Sequence, residues 1–324
     1  MIRVGINGFG RIGRCLARHI MQDRDDMELV QINASGDPEQ NIHLLKYDSV
    51  HGRYTPKDDL TYKINWSHSR DNKFLSWDSV DLVFECTGAY NDGDSAIHHI
   101  KYGKAKKVLI SAPAKNVDRT VVYGVNHKEL TKDDNIVSNA SCTTNCLAPL
   151  VKVLDKSFGI VRGQMTTVHS YTGDQGTIDK RHRDLYRARA AGSNMIPTST
   201  GAAKALEHVY PKLKNKIKGS AIRVPTINVS CIDLTVQLKE DVNEDLVNNT
   251  VLNASKHNMK GIIGYETQPL VSSDYNTTKE SCIFAPDQTR IVDNKLVRVL
   301  AWYDNEWAFS CRMADVARYM GDLR

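Results

Sequence analysis

Apolar residues come in two kinds of run along this chain, and the change from one to the other divides it. Short runs punctuate the first 137 residues: Ile2-Arg3-Val4-Gly5-Ile6, Glu28-Leu29-Val30-Gln31-Ile32-Asn33, Leu82-Val83-Phe84-Glu85-Cys86, Lys107-Val108-Leu109-Ile110-Ser111, Val121-Val122-Tyr123-Gly124 and Asn135-Ile136-Val137. They read as buried strands, with helical patterns between several of them. The first repeat packs strand, glycine turn, helix to about Met21 and second strand into roughly thirty residues, the span of a βαβ unit. After Cys142 the runs lengthen: residues 163–169, 220–225 and 228–238 alternate or are rich in branched side chains. That pattern predicts a mostly antiparallel sheet covered on one face by helices. Between them, 171–197 has many charges and little apolar period, as expected of a functional or interfacial loop.

Composition narrows the class. With 324 residues, 41% hydrophobic and 25% charged, the chain has the make-up of a globular protein of about two domains. No charged-then-apolar leader and no membrane-length apolar run is found, so the expected location is the cytoplasm. Seven scattered cysteines, at 15, 86, 142, 146, 231, 282 and 311, make no disulfide framework. Cys142 and Cys146 would share a helix face, but a zinc site would need a second pair at ligand spacing, and none exists. No metal is expected. Net charge is +5 and the pI about 8.7. The bases gather in Lys180-Arg181-His182-Arg183, Arg187, Arg189 and Lys212 to Lys218, without aromatic stacking residues beside them. Phosphorylated small molecules suit such a distribution better than nucleic acid.

Two motifs carry chemistry. Gly8-Phe9-Gly10-Arg11-Ile12-Gly13 follows a strand and opens a helix, the context a dinucleotide fingerprint requires. Gly8 permits the tight turn, Gly10 lets a pyrophosphate reach the backbone, and Gly13 lets helix pack on strand. In Ser138-Asn139-Ala140-Ser141-Cys142-Thr143-Thr144-Asn145-Cys146, helix-entry residues precede an apolar run. Cys142 is therefore placed near a helix N-terminus, where the dipole favours a thiolate.

Those stretches, with His43 to Gly52, His169-Ser170-Tyr171-Thr172-Gly173-Asp174-Gln175, Thr200-Gly201-Ala202-Ala203-Lys204, Arg223-Val224-Pro225-Thr226 and Trp302 to Trp307, resemble the phosphorylating glyceraldehyde-3-phosphate dehydrogenase family over essentially the whole chain. The implied fold is α/β: a Rossmann-type doubly wound parallel sheet in 1–140, to which a final helix in 305–324 returns, plus an α+β catalytic domain with a mostly antiparallel sheet in 141–304. The resemblance implies Cys142 as nucleophile and His169 as base, with His169 lowering the thiol pKa. It assigns Thr172 and Arg223 to the substrate's phosphate, and Ser141, Thr143, Thr200 and Gly201 to attacking inorganic phosphate. Thr200 also suits a helix cap. Arg11 and Ile12 are implied at the pyrophosphate, Arg70 and Ser111 at adenine and ribose, and Asn305 at the nicotinamide amide. The implied partners are glyceraldehyde 3-phosphate and phosphate, in a homotetramer. Erythrose-4-phosphate dehydrogenase is the alternative activity.

The chain departs from the family pattern where NAD or NADP is chosen. NAD-preferring members carry an acidic residue at the end of the second strand; here that position is Ala34, followed by Ser35. In the long loop, Lys180-Arg181 replace an apolar residue and a proline, near the neighbouring subunit's adenosine ribose in the family's tetramer. Both changes favour a 2′-phosphate, unless Asp37 substitutes for the missing carboxylate. NADP competence is the expectation, with dual use open.

Overall fold

Strand pairing follows the hydrophobic runs closely. The computed structural model describes residues 1–57 and 59–323, the side chains of residues 61 and 62 excepted. Two units emerge, Met1–Ser141 with Phe309–Arg324, and Cys142–Ala308.

The first unit contains β1 (Ile2–Asn7), β2 (Met27–Asn33), a small β3–β4 hairpin (Tyr47–Asp48, Gly52–Arg53), β5 (Asn65–Ser67), β6 (Leu82–Glu85), β7 (Lys107–Ile110), β8 (Arg119–Thr120) and β9 (Ile136–Ser138). Among the described residues one seven-stranded sheet forms in the order β5-β2-β1-β6-β7-β9-β8, every pairing parallel. Its central strands are sealed on both faces, which is why β6 and β7 read as unbroken apolar runs. The direction of winding reverses between β1 and β6. Beyond the carboxyl ends of two such strands lies the crevice where this architecture takes ligands.

One predicted strand is absent. Val121–Gly124 forms no strand: Val121 N makes the last bond to the neighbouring strand, to Ser138 O (2.8 Å), and the chain turns at Tyr123 and Gly124. Asn126 explains it: its side chain accepts from Val122 N (2.9 Å) and donates to Thr120 O (3.0 Å), bending the chain while Val121 and Val122 stay buried. The closing helix, Trp307–Asp322, is anchored by Asp315, which accepts from Arg24 at 2.6 Å, and by Gly321 against Ile2.

In the second unit the helix Cys142–Phe158 leads into β10 (Ile160–Ser170), β11 (Ile196–Ser199), β12 (Ile217–Val224), β13 (Ser230–Leu238), β14 (Ile263–Tyr265), β15 (Cys282–Val292) and β16 (Leu296–Tyr303). The sheet order is β11-β12-β10-β13-β16-β15-β14. Pairings β10–β12 and β14–β15 are parallel and the rest antiparallel. Alternate residues of β13 and β16, such as Ile232, Leu234, Val299 and Tyr303, form the buried face. Residues 171–195 carry neither helix nor strand. Among the described residues no helix is long and apolar enough to cross a membrane.

Candidate functional site

The ends of β1, β2 and β6 surround a cavity of about 670 Å³ in the first unit. Gly8, Gly10, Ala34, Ser35 and Arg70 line it, as do Asn7, Asn33, Thr87 and Tyr90. Gly8 has φ +95°, a left-handed conformation that a side chain resists, and a Cβ there would sit 2.7 Å from Thr87 N. A Cβ on Gly13 would run into the Gly8 carbonyl oxygen, whereas one on Gly10 meets nothing within 4 Å. The helix Arg11–Asp23 therefore starts against bare backbone, with no side-chain cap and no acid in its first turn. A helix start of this kind suits a pyrophosphate. The residues present fit a dinucleotide.

Beneath this cradle Asn7 Nδ2 donates to the buried Glu85 carboxylate (2.5 Å), and Asn33 Nδ2 donates to Asn7 Oδ1 (2.7 Å). Spacing rules do not flag such asparagines; their place at the ends of neighbouring parallel strands is the signal that was available. Arg11 and Ser111, two of the expected residues, do not line the cavity. The Arg11 guanidinium forks onto Asp48 (2.5 and 3.0 Å), which holds that carboxyl far below its usual range against the cost of burial. Its side chain is held there. Ser111 does not line the cavity: its N–H donates to Glu85 O (2.9 Å) and its hydroxyl meets Cys86. Ile12 and Gly13 lie in the first turn of that helix and are not among the cavity's lining residues. Asp37 is exposed, heads the next helix and lies off the lining.

In the second unit Cys142 is the first residue of its helix, and its Sγ lies 3.5 Å from His169 Nε2. His169 Nδ1 is 2.6 Å from the Ser170 carbonyl, an acceptor only, so the ring proton sits on Nδ1 and Nε2 faces sulfur as an acceptor. Electrostatics act on both groups. Burial pushes the Cys142 thiol up, opposed by Arg223 and by Thr143 donors. Burial, with Arg223, pulls His169 down to about 3. Burial thus opposes charge on both groups, while Nε2 offers the thiol proton an acceptor at 3.5 Å. Cys146 lies fully buried one turn along, as expected.

Arg223 pairs in register with His169 across β12–β10, and its Nη1 donates to Ser170 O (3.0 Å) and Thr172 Oγ1 (2.9 Å). Thr172 in turn donates to Asp174, whose carboxylate also accepts from Arg187 Nη1 (3.1 Å). Arg187 was read only as part of a basic cluster; its single-residue identity was not legible, because the loop that delivers it has no period. Thr200 accepts from Ala202 N (3.2 Å) where the helix Ala202–Val209 starts, beside Gly201. Thr143 is 4% exposed with its hydroxyl turned inward to Tyr303 (2.9 Å), not toward an attacking anion; Ser141 is half-buried before it. Asn305 Oδ1 accepts from the hydroxyls of Ser170 and Ser230, both 2.8 Å, which directs its NH₂ away from them as a donor. Lys180 and Arg181 are exposed.

Comparison with known proteins agrees with this division. Residues 2–93 match the NAD binding domain of glyceraldehyde 3-phosphate dehydrogenase and residues 141–305 match its C-terminal domain. The chain is 51% identical to a glyceraldehyde-3-phosphate dehydrogenase of Cereibacter sphaeroides, over 99% of both chains. It is 50% identical to glyceraldehyde-3-phosphate dehydrogenase 2 of Bacillus subtilis, over 98% of this chain and 96% of that one. Identity to the Geobacillus stearothermophilus protein of the same name is 47%, over 98% of each. The erythrose-4-phosphate alternative finds no support among these names.

Proposed function

The chain belongs to the glyceraldehyde-3-phosphate dehydrogenase family, and on that premise we propose that it converts D-glyceraldehyde 3-phosphate and inorganic phosphate to 1,3-bisphosphoglycerate. The observation that carries this reading is the Cys142–His169 pair, with the imidazole tautomer fixed by Ser170. His169 Nε2 takes the thiol proton as sulfur attacks the aldehyde and returns it to the former carbonyl oxygen, giving a thiohemiacetal on Cys142. His169 then receives the thiohemiacetal hydroxyl proton as the carbon is oxidised, leaving a thioester. When bound, the nicotinamide ring supplies the hydride acceptor. Phosphate attacks the thioester and the Cys142 sulfur leaves, which conserves the oxidation energy as an acyl phosphate. Arg223, Thr172 and Arg187 hold phosphate oxygens, while Thr200 and Gly201 offer hydroxyl and backbone donors.

Gly8, Gly10 and the backbone of Arg11 and Ile12 would hold the pyrophosphate, and Arg70 the adenosine side. Ser111 supports that wall through Cys86. The cradle is read as NADP-competent because Ala34 and Ser35 line it and, among the described residues, no carboxylate does. Exposed apolar residues of the long loop, Ile178 (75%), Leu185 (81%) and Met195 (77%), support assembly into a homotetramer, where Lys180 and Arg181 would meet a neighbour's cofactor. Seven free cysteines suit a reducing cytoplasm. The test is cofactor reduction with the aldehyde. It should require phosphate and stop after one thiol per chain is alkylated; reduction that survives alkylation of Cys142 overturns the proposal.

A further inference from the structure

Under the cavity of the first unit lies a second cluster of titratable groups, which the proposed chemistry leaves unused. Glu85 ends β6 at 1% exposed, and among the described residues no lysine or arginine bonds its carboxylate. Four other donors meet it. Oε2 accepts from Asn7 Nδ2 (2.5 Å) and from His99 Nε2 (3.0 Å), and Oε1 accepts from Thr87 N (2.8 Å) and the Thr87 hydroxyl. His99 is fully buried on the short helix His98–Lys101, with its Nδ1 2.9 Å from Trp77 Nε1. An indole N–H can only donate, so Nδ1 accepts and the ring proton sits on Nε2, facing Glu85.

The other donors belong to residues that line the cavity. Asn7 closes β1, and its Oδ1 accepts from Asn33 at the end of β2 (2.7 Å), so the amide has one orientation, with Nδ2 on Glu85. Thr87 N stands 2.7 Å from where a Cβ on Gly8 would be. The bond that holds this N–H therefore also fixes the wall against which the glycine turn closes. Tyr90, another lining residue, meets the His99 ring edge-on with centroids 6.3 Å apart. A carboxylate offers about four lone-pair sites, and here each has its donor. Removing the His99 donor leaves a buried negative charge short of a partner, which it can regain by turning, at the expense of Asn7 and Thr87.

Resting on the reading of this cavity as a dinucleotide cradle, we infer that His99 is a positioning residue for it: its Nε2–H orients the Glu85 carboxylate, which sets Asn7 and Thr87 at the two strand ends that face the ligand. Trp77 holds the ring in the tautomer that can donate. His99 is fully buried and lies off the cavity lining, so it touches no ligand itself. It acts on cofactor affinity and not on the aldehyde chemistry.

The experiment is calorimetric titration of the full-length protein with NAD and with NADP, beside steady-state kinetics. A glutamine amide reaches the place of the imidazole Nε2, and an asparagine amide that of Nδ1. His99→Gln keeps the donor to Glu85 and should stay within about threefold of the parent affinity. His99→Asn keeps only an acceptor for Trp77 and should weaken binding about tenfold, the scale of one hydrogen bond to a charged group. Its KM for the dinucleotide should rise by the same factor with kcat held, whereas mere loosening of the core would lower the folded fraction and kcat and leave KM unmoved. Equal affinities of the folded Gln and Asn variants overturn the inference. Thr87→Val and Thr87→Ser supply a second route at an exposed position. Val should weaken binding and Ser restore it, and identical affinities for the two overturn the inference as well. A parent protein that binds neither dinucleotide overturns the cradle reading and this inference with it. A parent that binds one but turns over no aldehyde counts against the proposed function alone, since the ranking of variants is read from binding.

Discussion

The two units build their sites by opposite means. In the first, the cradle is defined by what side chains leave out: bare backbone at Gly8, Gly10 and Gly13 and a missing carboxylate at Ala34. In the second, the site is defined by what side chains supply, a sulfur, an imidazole and guanidinium groups, each fixed by hydrogen bonds. Substitution should therefore act differently in each. Adding atoms damages the cradle, and removing them damages the chemistry.

The sharpest separation should come from Cys142→Ser. Replacing the sulfur by a poorer nucleophile should lower acyl phosphate formation by about 10⁴-fold or more. Dinucleotide affinity, measured by calorimetric titration, should change less than about threefold, since no cradle contact is altered. A comparable loss of affinity would break the contrast between the units.

Within the cradle, Gly13→Ala and Gly10→Ala should part company. The first forces a methyl into the Gly8 carbonyl oxygen and should cost about 3 kcal/mol of stability by denaturant melting, the overpacking scale. The second points its methyl into open space, so the melting midpoint should hold while dinucleotide affinity falls. Equal stability of both variants would show that the crowding at Gly13 relaxes freely.

How legible each unit was follows from the same contrast. Strand runs and the glycine spacing give the parallel sheet and its turn directly, because backbone demands recur at fixed intervals. The commitment of Arg11 to Asp48, thirty-seven residues away, has no local signature. Nor has Arg187 beside Asp174, nor Thr143 turned inward to Tyr303. A side chain's partner is set by tertiary packing, so motifs point to neighbourhoods and the bonds of a given hydroxyl or guanidinium have to be read from the folded chain. The absent strand at Val121–Gly124 fails for a related reason: one asparagine side chain supplies the bonds that a neighbouring strand would have made.

His169 offers a smaller effect on stability. Its pKa is about 3 in the native state against about 6.5 unfolded, so the unfolded chain binds a proton that the native state refuses. Stability should therefore fall on acidification below about pH 6.5, by about 2 kcal/mol between pH 7 and pH 5 from this group. His169→Gln should flatten that slope relative to the parent, read from melts at the two pH values; parallel slopes would show that the imidazole is not desolvated. His19 shifts in the same direction and is common to both proteins.

The mildest change sharpens the contrast most, since it touches neither turnover chemistry nor stability. Ala34 and Ser35 line the cavity, and among the described residues no carboxylate does. Ala34→Asp should restore an acceptor for a ribose hydroxyl and a repulsion against a 2′-phosphate. Arg181→Pro should remove a cation from the loop without entering the cavity. Together they should move the ratio of kcat/KM values from NADP toward NAD by about tenfold, about 1.4 kcal/mol of differential binding. The single variants separate the contributions. A shift from Ala34→Asp alone places selectivity in the first unit. A shift that needs Arg181→Pro, and that disappears in a monomeric form, places part of it in the neighbouring subunit's loop. A parent enzyme that already prefers NAD strongly would remove the case for NADP and leave Ala34 as an open position without a role in selection.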